Sequence, residues 1–524
     1  MPLAEKTDVL VVGAGPTGLV LALCLERLGV GVRIIDKAAT PGTTSRALVL
    51  HARTLEHYRQ LGLADEVIER SLRFDTINLW ARGQRVGHAE LGAIGKGLTP
   101  FPYLMIFPQD EHEVLLIERL RAVGIEVERP AELVGCDDRG DHVLARVRRA
   151  DGSEVEHQVS YLIGCDGARS GVRELADIGF PGGTYERLFY VADVELHGPV
   201  ANHQLHVALD EADFVGVFPM KGEHAARLIG TVVQEAEGER ELGWSDVSQR
   251  AMEHMQITVD RVNWFSTYRV HHRVARRFAR GRLFLAGDAA HIHSPVGGQG
   301  MNTGIGDAVN LSWKLAAVLH GCAGAELLRS YDPERRWFAE RLVATTDRAF
   351  TFVTRDGPLA RRVRVSLVPA LLPRLLQREA VRRFMFRTVS QTAVHYRKSE
   401  LSEGRAGSVR GGDRLPWVAA ADGTDNFAPL ASLDWQLHVY GRPSAELSSA
   451  AERRQVPMHT FAWHDDLRHA GLARDAAYLI RPDGHVALAD PDGRAERLER
   501  YLDAHGLRHR HASGAARLGD LASR

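Results

Sequence analysis

One local pattern constrains this chain more than any other: an apolar strand that breaks at a glycine-rich turn, continues as a helix, and returns as a second apolar run ending in an acid. Asp8-Val9-Leu10-Val11-Val12 is continuously apolar after its first residue, as a parallel strand covered on both faces must be. Gly13-Ala-Gly15-Pro-Thr-Gly18 follows. Gly13 permits the tight turn, Gly15 lets backbone approach a pyrophosphate, and Gly18 lets the helix pack close to the strand. The helix, predicted over Pro16 to Leu28, aims its positive end at those phosphates. A second strand, Gly31-Val-Arg-Ile-Ile35, ends at Asp36, where a carboxylate can bond the adenosine ribose hydroxyls. Asp36 would repel a 2′-phosphate, so this site suits FAD or NAD.

Two further motifs separate those cofactors. Tyr161-Leu-Ile-Gly-Cys165 reads as a buried strand entering Asp166-Gly167-Ala-Arg-Ser170. Arg282-Leu-Phe-Leu-Ala286 does the same into Gly287-Asp288-Ala-Ala-His291. An acid at a strand's carboxyl end, followed by small residues opening a helix, can hold a polyol hydroxyl while N–H groups face a phosphate. Each alone also reads as a turn with a helix N-cap. Together, after a GxGxxG, they point to FAD bound in extended form. Pro295-Val-Gly-Gly-Gln-Gly-Met-Asn-Thr-Gly304 is rich enough in glycine for a flat ring to lie on bare backbone, and a helix is predicted from Ile305 to Leu319. Its positive end would stabilise negative charge on a reduced flavin.

Composition narrows the partners. A length of 524 residues predicts roughly three domains of ~150 each. A net charge of −1 supplies no electrostatic reason to expect nucleic acid or an anionic membrane. No stretch approaches the ~20 uninterrupted apolar residues of a membrane span. The charged opening Met1 to Thr7 argues against a signal peptide. Four cysteines, Cys24, Cys136, Cys165 and Cys322, show neither pairing nor metal spacing and suit a reducing cytoplasm.

The chain resembles the group A flavoprotein aromatic hydroxylases, and within them the angucycline and anthracycline polyketide hydroxylases and the phenol and 3-(3-hydroxyphenyl)propionate hydroxylases. The resemblance rests on Val11 to Gly18, on Ser45-Arg46-Ala47 through His51-Ala-Arg-Thr-Leu-Glu56, on the Asp166 segment, and on Gly281 through Lys314. It implies an α/β chain. A glutathione-reductase-type, Rossmann-like FAD domain (1–74, 106–178, 271–330) is interrupted by an antiparallel-sheet substrate domain (179–270, with a contribution from 75–105). A helical segment (331–400) and a thioredoxin-like domain (413–524) follow, the latter suggested by Tyr478 to Ala487. No cysteine lies beyond Cys322, so that last domain cannot run dithiol chemistry and is read as scaffold or interface.

The resemblance also implies site residues. Gly13, Gly15 and Gly18 hold the pyrophosphate and Asp36 holds the ribose, with Pro16, Thr17 and Lys37 also among the cofactor-binding residues. Gln109 lies near the ribityl chain, Asp166 lines the flavin and nicotinamide channel, and Gly287 and Asp288 hold pyrophosphate and ribityl hydroxyls. Pro295, Gly298, Gly300, Met301 and Asn302 lie against the isoalloxazine. Arg46, beside FAD, takes part in reduction; Arg46, Pro295, Gly297 and Gly298 form the catalytic set. The implied reaction is hydroxylation of a phenolic or polycyclic, polyketide-like substrate with NADPH or NADH and O2, through a C4a-hydroperoxyflavin, by a cytoplasmic monomer or homodimer. Baeyer–Villiger oxidation by the same fold, and a flavoprotein without oxygenase turnover, remain as alternatives. A halogenase is disfavoured by the absence of a Trp-x-Trp pair.

Alternating stretches at Tyr190–Leu196, Phe214–Pro219 and Arg227–Val233 predict the antiparallel strands of a substrate floor. Tyr103, Met105, Tyr190, Phe214 and Phe218 are its candidate lining. His203, His206, Tyr190 and Tyr268 stay open as a phenol-activating base. His291-Ile-His293 is read as shaping backbone, with no metal site expected. The arginine-rich stretch from Arg361 to Arg387 reads as a helix with a solvated face. Ser402 to Gly412 reads as a linker, and the tail His505 to His511 as solvent-exposed.

Overall fold

The computed structural model describes residues 6–42, 47–74, 76–81, 83–90, 94–209, 214–232, 242–247, 249–294, 296–354, 378–420 and 422–508. Arg46, Pro295, most of the stretch from Arg361 to Arg387 and the end of the His505–His511 tail lie outside them.

The architecture is mixed α/β, as the sequence predicts. The first sheet runs in the order Ala279–Arg280, Leu283–Leu285, Glu154–Gly164, Lys6–Val12, Val32–Ile35, Val127–Glu128, with Ala131–Asp138 and Val143–Arg149 folded onto it as an antiparallel meander. The four strands from Leu283–Leu285 to Val32–Ile35 are mutually parallel. Their apolar runs are buried, with the helix Pro16–Arg27 packed against Lys6–Val12 and Val32–Ile35. The helix Pro16–Arg27 is buried along most of its length and packs between the sheet and the long helix Gln299–Leu319.

A second eight-stranded sheet has the order His291–Ile292, Thr258–Val274, Gly182–His197, Ala225–Thr231, Phe214–Pro219, Leu205–Leu209, Thr76–Ala81, Gln84–Glu90. Its two longest strands pair antiparallel over most of their length. The strand His291–Ile292 ties this sheet to the segment that begins at Gly287.

A third sheet, built from strands between Glu403 and Asp490, carries its own apolar core around Leu437, Val439, Tyr478 and Ile480. The proposed linker contains two of its strands, Glu403–Ala406 and Val409–Arg410, which corrects that reading: four glycines there serve tight backbone approaches and a hairpin. This unit docks on the helix Ala52–Gln60, whose sequence ARTLEHYRQ is strongly polar yet almost wholly buried. Docking explains that burial. Arg53 donates to the Asp483 carbonyl at 2.6 Å, Gln60 to the Pro482 carbonyl at 3.0 Å, and Arg414 pairs with Glu56. Burial alone would raise the Glu56 carboxyl; Arg414 and Arg53 more than offset it and hold it at about 2.

Candidate active site

Four neighbouring parallel strands end along one edge of the first sheet, and each delivers a residue that the sequence singles out. In order across the sheet, Leu283–Leu285 leads to Gly287 and Asp288, Glu154–Gly164 to Asp166, Lys6–Val12 to Gly13, and Val32–Ile35 to Asp36. The crevice outside the carboxyl ends of such strands is where open α/β sheets bind ligands.

The glycine turn is dictated by contact. A Cβ on Gly13 would lie 2.4 Å from the Cys165 carbonyl oxygen, and one on Gly18 2.0 Å from the Gly13 oxygen. Gly15 differs, since a Cβ there would meet nothing within 4 Å, so its backbone faces open space at the start of the helix. Pro16 is the buried first helical residue, and Thr17 packs its hydroxyl against Gly287 and Gly304. Asp36 is oriented by two backbone donors, Ala14 at 2.7 Å and Ala38 at 2.8 Å, with the Arg129 guanidinium 3.8 Å away. Lys37 is exposed beside it, and Asp288 is exposed at the mouth of the crevice.

Asp166 provides the test of fit for a cofactor. Its Oδ2 accepts from the Val172 N–H at 3.1 Å, whereas Oδ1 is shielded from solvent and has no hydrogen-bond partner among the described residues. A buried acceptor left unmade costs ~1–3 kcal/mol. A ligand hydroxyl or N–H would satisfy it. With bare backbone at Gly15, a helix N-terminus at Pro16 and acids on either side, the residues fit FAD.

The flavin loop departs from expectation. The helix begins at Gln299 and not at Ile305, preceded by a short turn at Val296–Gly298. Gly298 caps it in the left-handed region (φ 62°), and a Cβ there would press on Val49 at 2.9 Å. Gly300, Met301 and Asn302 therefore occupy its first turn, where backbone N–H groups lack partners within the helix. The Asn302 side chain is committed to the protein's own backbone and side chains. Nδ2 donates to the Val49 and Gly298 carbonyls (2.8 and 2.9 Å), while Oδ1 accepts from His51 N and Thr54 Oγ1 (2.9 and 2.7 Å). It is spent on holding the turn.

His51 does related work and was not singled out individually. Its Nε2 lies 2.9 Å from the Gly297 oxygen and 3.1 Å from that of Gly298, so this nitrogen carries the proton. Burial pushes the ring down to about 4 despite those carbonyls, which keeps it neutral at ordinary pH.

Asp307 is the second such residue. From inside the long helix it accepts from the Gly287 N–H at 2.9 Å, His291 Nε2 at 2.7 Å and Arg335 Nε at 2.6 Å. Burial would raise its carboxyl, but Arg335 and His291 hold it below the usual range. Asp307 thus positions the turn that presents Asp288, and it engages His291. A sequence signal existed: Asp307, Asn310 and Lys314 form a polar stripe at helical spacing in an otherwise apolar helix, and all three are buried. Gln109 begins the helix Gln109–Ala122, where its amide donates to Glu113 Oε1 at 2.8 Å.

The substrate sheet sorts its candidates by strand alternation. The face that packs on Val49, Leu104 and Ile106 of the cofactor side carries Val191, Ile229, Phe218, Trp264 and Tyr268. Phe214 joins Phe189 and Tyr268. Tyr190 points to the opposite face, fully buried against Trp244 and Phe265, so it neither lines the floor nor serves as base. Met105 is likewise corrected: Leu104 and Ile106 face the substrate sheet, which turns Met105 into the core of the first domain. Tyr103 is partly buried beneath the Arg73 guanidinium, 4.3 Å from its ring centre. His206 spends both ring nitrogens, on Trp80 at 2.9 Å and Asn202 at 2.8 Å. His203 sits at a left-handed turn position (φ 58°). Of the four candidate bases, Tyr268 stands on the face turned toward the cofactor side.

The FAD-binding-domain family matches residues 6–346. The chain is 35% identical to 6-methylpretetramide 4-monooxygenase from Streptomyces rimosus, over 99% of this chain and 94% of that protein. Among solved structures it is similar to the OxyS anhydrotetracycline hydroxylase from Streptomyces rimosus (TM-score 0.77, 27% identity, covering 96% of this chain and 100% of that one). It is similar also to CabE, an aromatic hydroxylase from angucycline biosynthesis (TM-score 0.76, 29% identity, 96% and 100% covered).

Proposed function

This chain belongs to the FAD-binding-domain family and is an FAD-dependent aromatic monooxygenase, and from that premise we propose that it hydroxylates a polycyclic aromatic polyketide of the tetracycline or angucycline kind. The observation that carries the reading is the row of Asp288, Asp166, Gly13 and Asp36 along one sheet edge, together with a second sheet whose apolar, aromatic side packs on Val49, the residue against which Gly298 also lies. Bound FAD, reduced by NADPH or NADH, supplies the activation of O2 and the transfer of one oxygen atom to the ring. The chain's own residues bind, orient and shield.

Gly13, Gly15 and Gly18 admit the pyrophosphate to bare backbone, and Asp36 takes the ribose. Asp166 accepts a hydrogen bond at its unpartnered Oδ1, and Asp288 holds the ribityl side. Gly297 and Gly298, fixed by His51 and Asn302, present peptide groups where the flat ring lies. The first N–H groups of the long helix favour negative charge there. Phe214, Phe218, Trp264 and Tyr268 supply an aromatic floor that orients a planar substrate and excludes water. Tyr268 is the group we assign to accept or relay the phenolic proton, and Arg46 and Pro295 keep their proposed places beside the flavin. Among the described residues no helix is long and apolar enough to cross a membrane, and the free cysteines fit our assignment to the cytoplasm.

The test is NADPH oxidation by the purified yellow protein across a panel of phenols, anthrones and polycyclic quinones, with products identified by mass. A rate that rises with one compound, yielding that compound plus one oxygen atom, supports the proposal. Stimulation by simple phenols alone would overturn the polycyclic assignment, and protein that cannot take up FAD would overturn the whole reading.

A further inference from the structure

A cleft of about 500 Å3 lies apart from the aromatic floor, between the start of the strand Gly182–His197, the end of Thr258–Val274 and the helix Tyr331–Thr354. Its walls include Gly182, His272, Arg273, Arg276, Arg336 and Glu340. Arg336 is neutralised on its own helix, by Asp332 at 3.2 Å and Glu340 at 2.8 Å. Arg273 and Arg276 have no carboxylate within ion-pair distance among the described residues. Two guanidinium groups without an ion-pair partner among the described residues, in a cleft whose one carboxylate, Glu340, is taken by Arg336, are a recognition element for phosphate.

The cleft is coupled to the cofactor site. Arg273 is paired with Ile292 and Val274 with His291, directly before the flavin loop. On the other flank Arg173 donates to the Ala168 and Ala289 carbonyls, both at 2.9 Å, and so bridges the Asp166 and Asp288 segments. The Arg173 guanidinium also lies over Phe180, one residue before the cleft wall at Pro181. The chain has one GxGxxG turn, and FAD takes it. Phosphates of a second dinucleotide need cations elsewhere.

We infer that this cleft docks the phosphate-bearing end of the reduced nicotinamide cosubstrate, with Arg273 and Arg276 as its phosphate ligands. The inference rests on the monooxygenase reading above. Two unpaired arginines favour NADPH, whose 2′-phosphate adds charge, over NADH.

The experiment is anaerobic stopped-flow reduction of the FAD-loaded enzyme at varied NADPH, for the native protein and for Arg273→Gln, Arg276→Gln and the double variant. Arg277→Gln, exposed and outside the cleft wall, controls for charge. Each cleft variant should raise the NADPH dissociation constant roughly ten- to a hundredfold. The limiting reduction rate, flavin spectrum, FAD affinity and reduction by dithionite should stay unchanged, and discrimination against NADH should shrink. Native-like NADPH affinity in the double variant would overturn the inference while leaving the monooxygenase standing. A change in aromatic-substrate KM without one in NADPH affinity would reassign the cleft to substrate, and so would overturn it too. Native flavin that neither nicotinamide reduces would instead sink the functional reading.

Discussion

The His51 N–H donates to Asn302 Oδ1 at 2.9 Å, while the ring of the same histidine reaches the Gly297 and Gly298 carbonyls that immediately precede the helix bearing Asn302. Two side chains from segments 251 residues apart therefore hold one turn of backbone. We propose that the flavin ring lies on that turn, which these polar groups hold in place.

Replacing Asn302 by leucine removes four hydrogen bonds and strands the Val49 carbonyl and the His51 N–H. Stability should fall by about 2–4 kcal/mol, and FAD should dissociate at least tenfold more readily. Fluorescence titration of flavin and a denaturant curve check the two effects separately. Unchanged FAD affinity would show that the turn does not depend on this anchor.

The buried histidines predict an acid-side loss of stability. His51, His293 and His485 are each held down to about 4, and His112 and His438 to about 3, with burial the leading cause in every case. Between the ordinary value of 6.5 and those values the unfolded chain binds more protons than the folded one. Stability therefore rises with pH there and is lost as pH falls below 6.5. Each group contributes a slope of about 1.4 kcal/mol per pH unit. His51→Gln keeps a donor and removes one titration, so urea midpoints from pH 4.5 to 7 should flatten by one proton.

Thr17 Oγ1 would lie 2.2 Å from a Cβ on Gly304, with Gly287 Cα at 3.1 Å. Gly304→Ala should lower the melting temperature of the FAD-free protein by several degrees. Adding Thr17→Ala should recover most of that loss by removing the closest atom, a coupling that a double-mutant cycle reads directly.

Arg481 is fully buried and donates to both Glu334 oxygens, at 2.8 and 2.9 Å, and to Asp483 at 2.6 Å. Arg481→Met leaves two buried carboxylates facing each other and should cost about 3–5 kcal/mol. Since Asp483 and Glu334 also meet Asn310 and Lys314 on the long helix, flavin affinity should fall with it. Native-like unfolding of this variant would show that the third sheet's docking does not depend on the pair.

On the substrate sheet, Phe218→Ala should raise KM for the aromatic substrate roughly three- to tenfold. Tyr190→Phe, on the far face, should leave it unchanged. Equal effects from the two would reverse the facial assignment.

The strands and turns that carry the cofactor motifs were legible in the residues, because an apolar run ending in a glycine or an acid is local information. The start of the long helix was misplaced by the same logic: Gly298, Gly300 and Gly304 read as loop, whereas the missing side chains of Gly298 and Gly304 serve the cap and close packing against Val49 and Thr17. Strand alternation was visible too, but which of the two faces meets the cofactor side was not. Tyr190 and Phe218 are equally aromatic in a list of residues, and only the neighbours across the sheet, Trp244 for one and Val49's cluster for the other, tell them apart.

By itself the sequence determined the dinucleotide-binding strands, the three glycine-anchored motifs and their family, since each depends on residues adjacent in the chain and on steric rules that act at short range. Tertiary structure alone decided that Asp36, Asp166 and Asp288 stand in a row, and that the side chains of Asn302 and Asp307 brace backbone. It also decided that the polar helix Ala52–Gln60 is buried. Those outcomes depend on which distant groups satisfy each buried donor, acceptor and charge, and that is settled only when the sheets and helices have met.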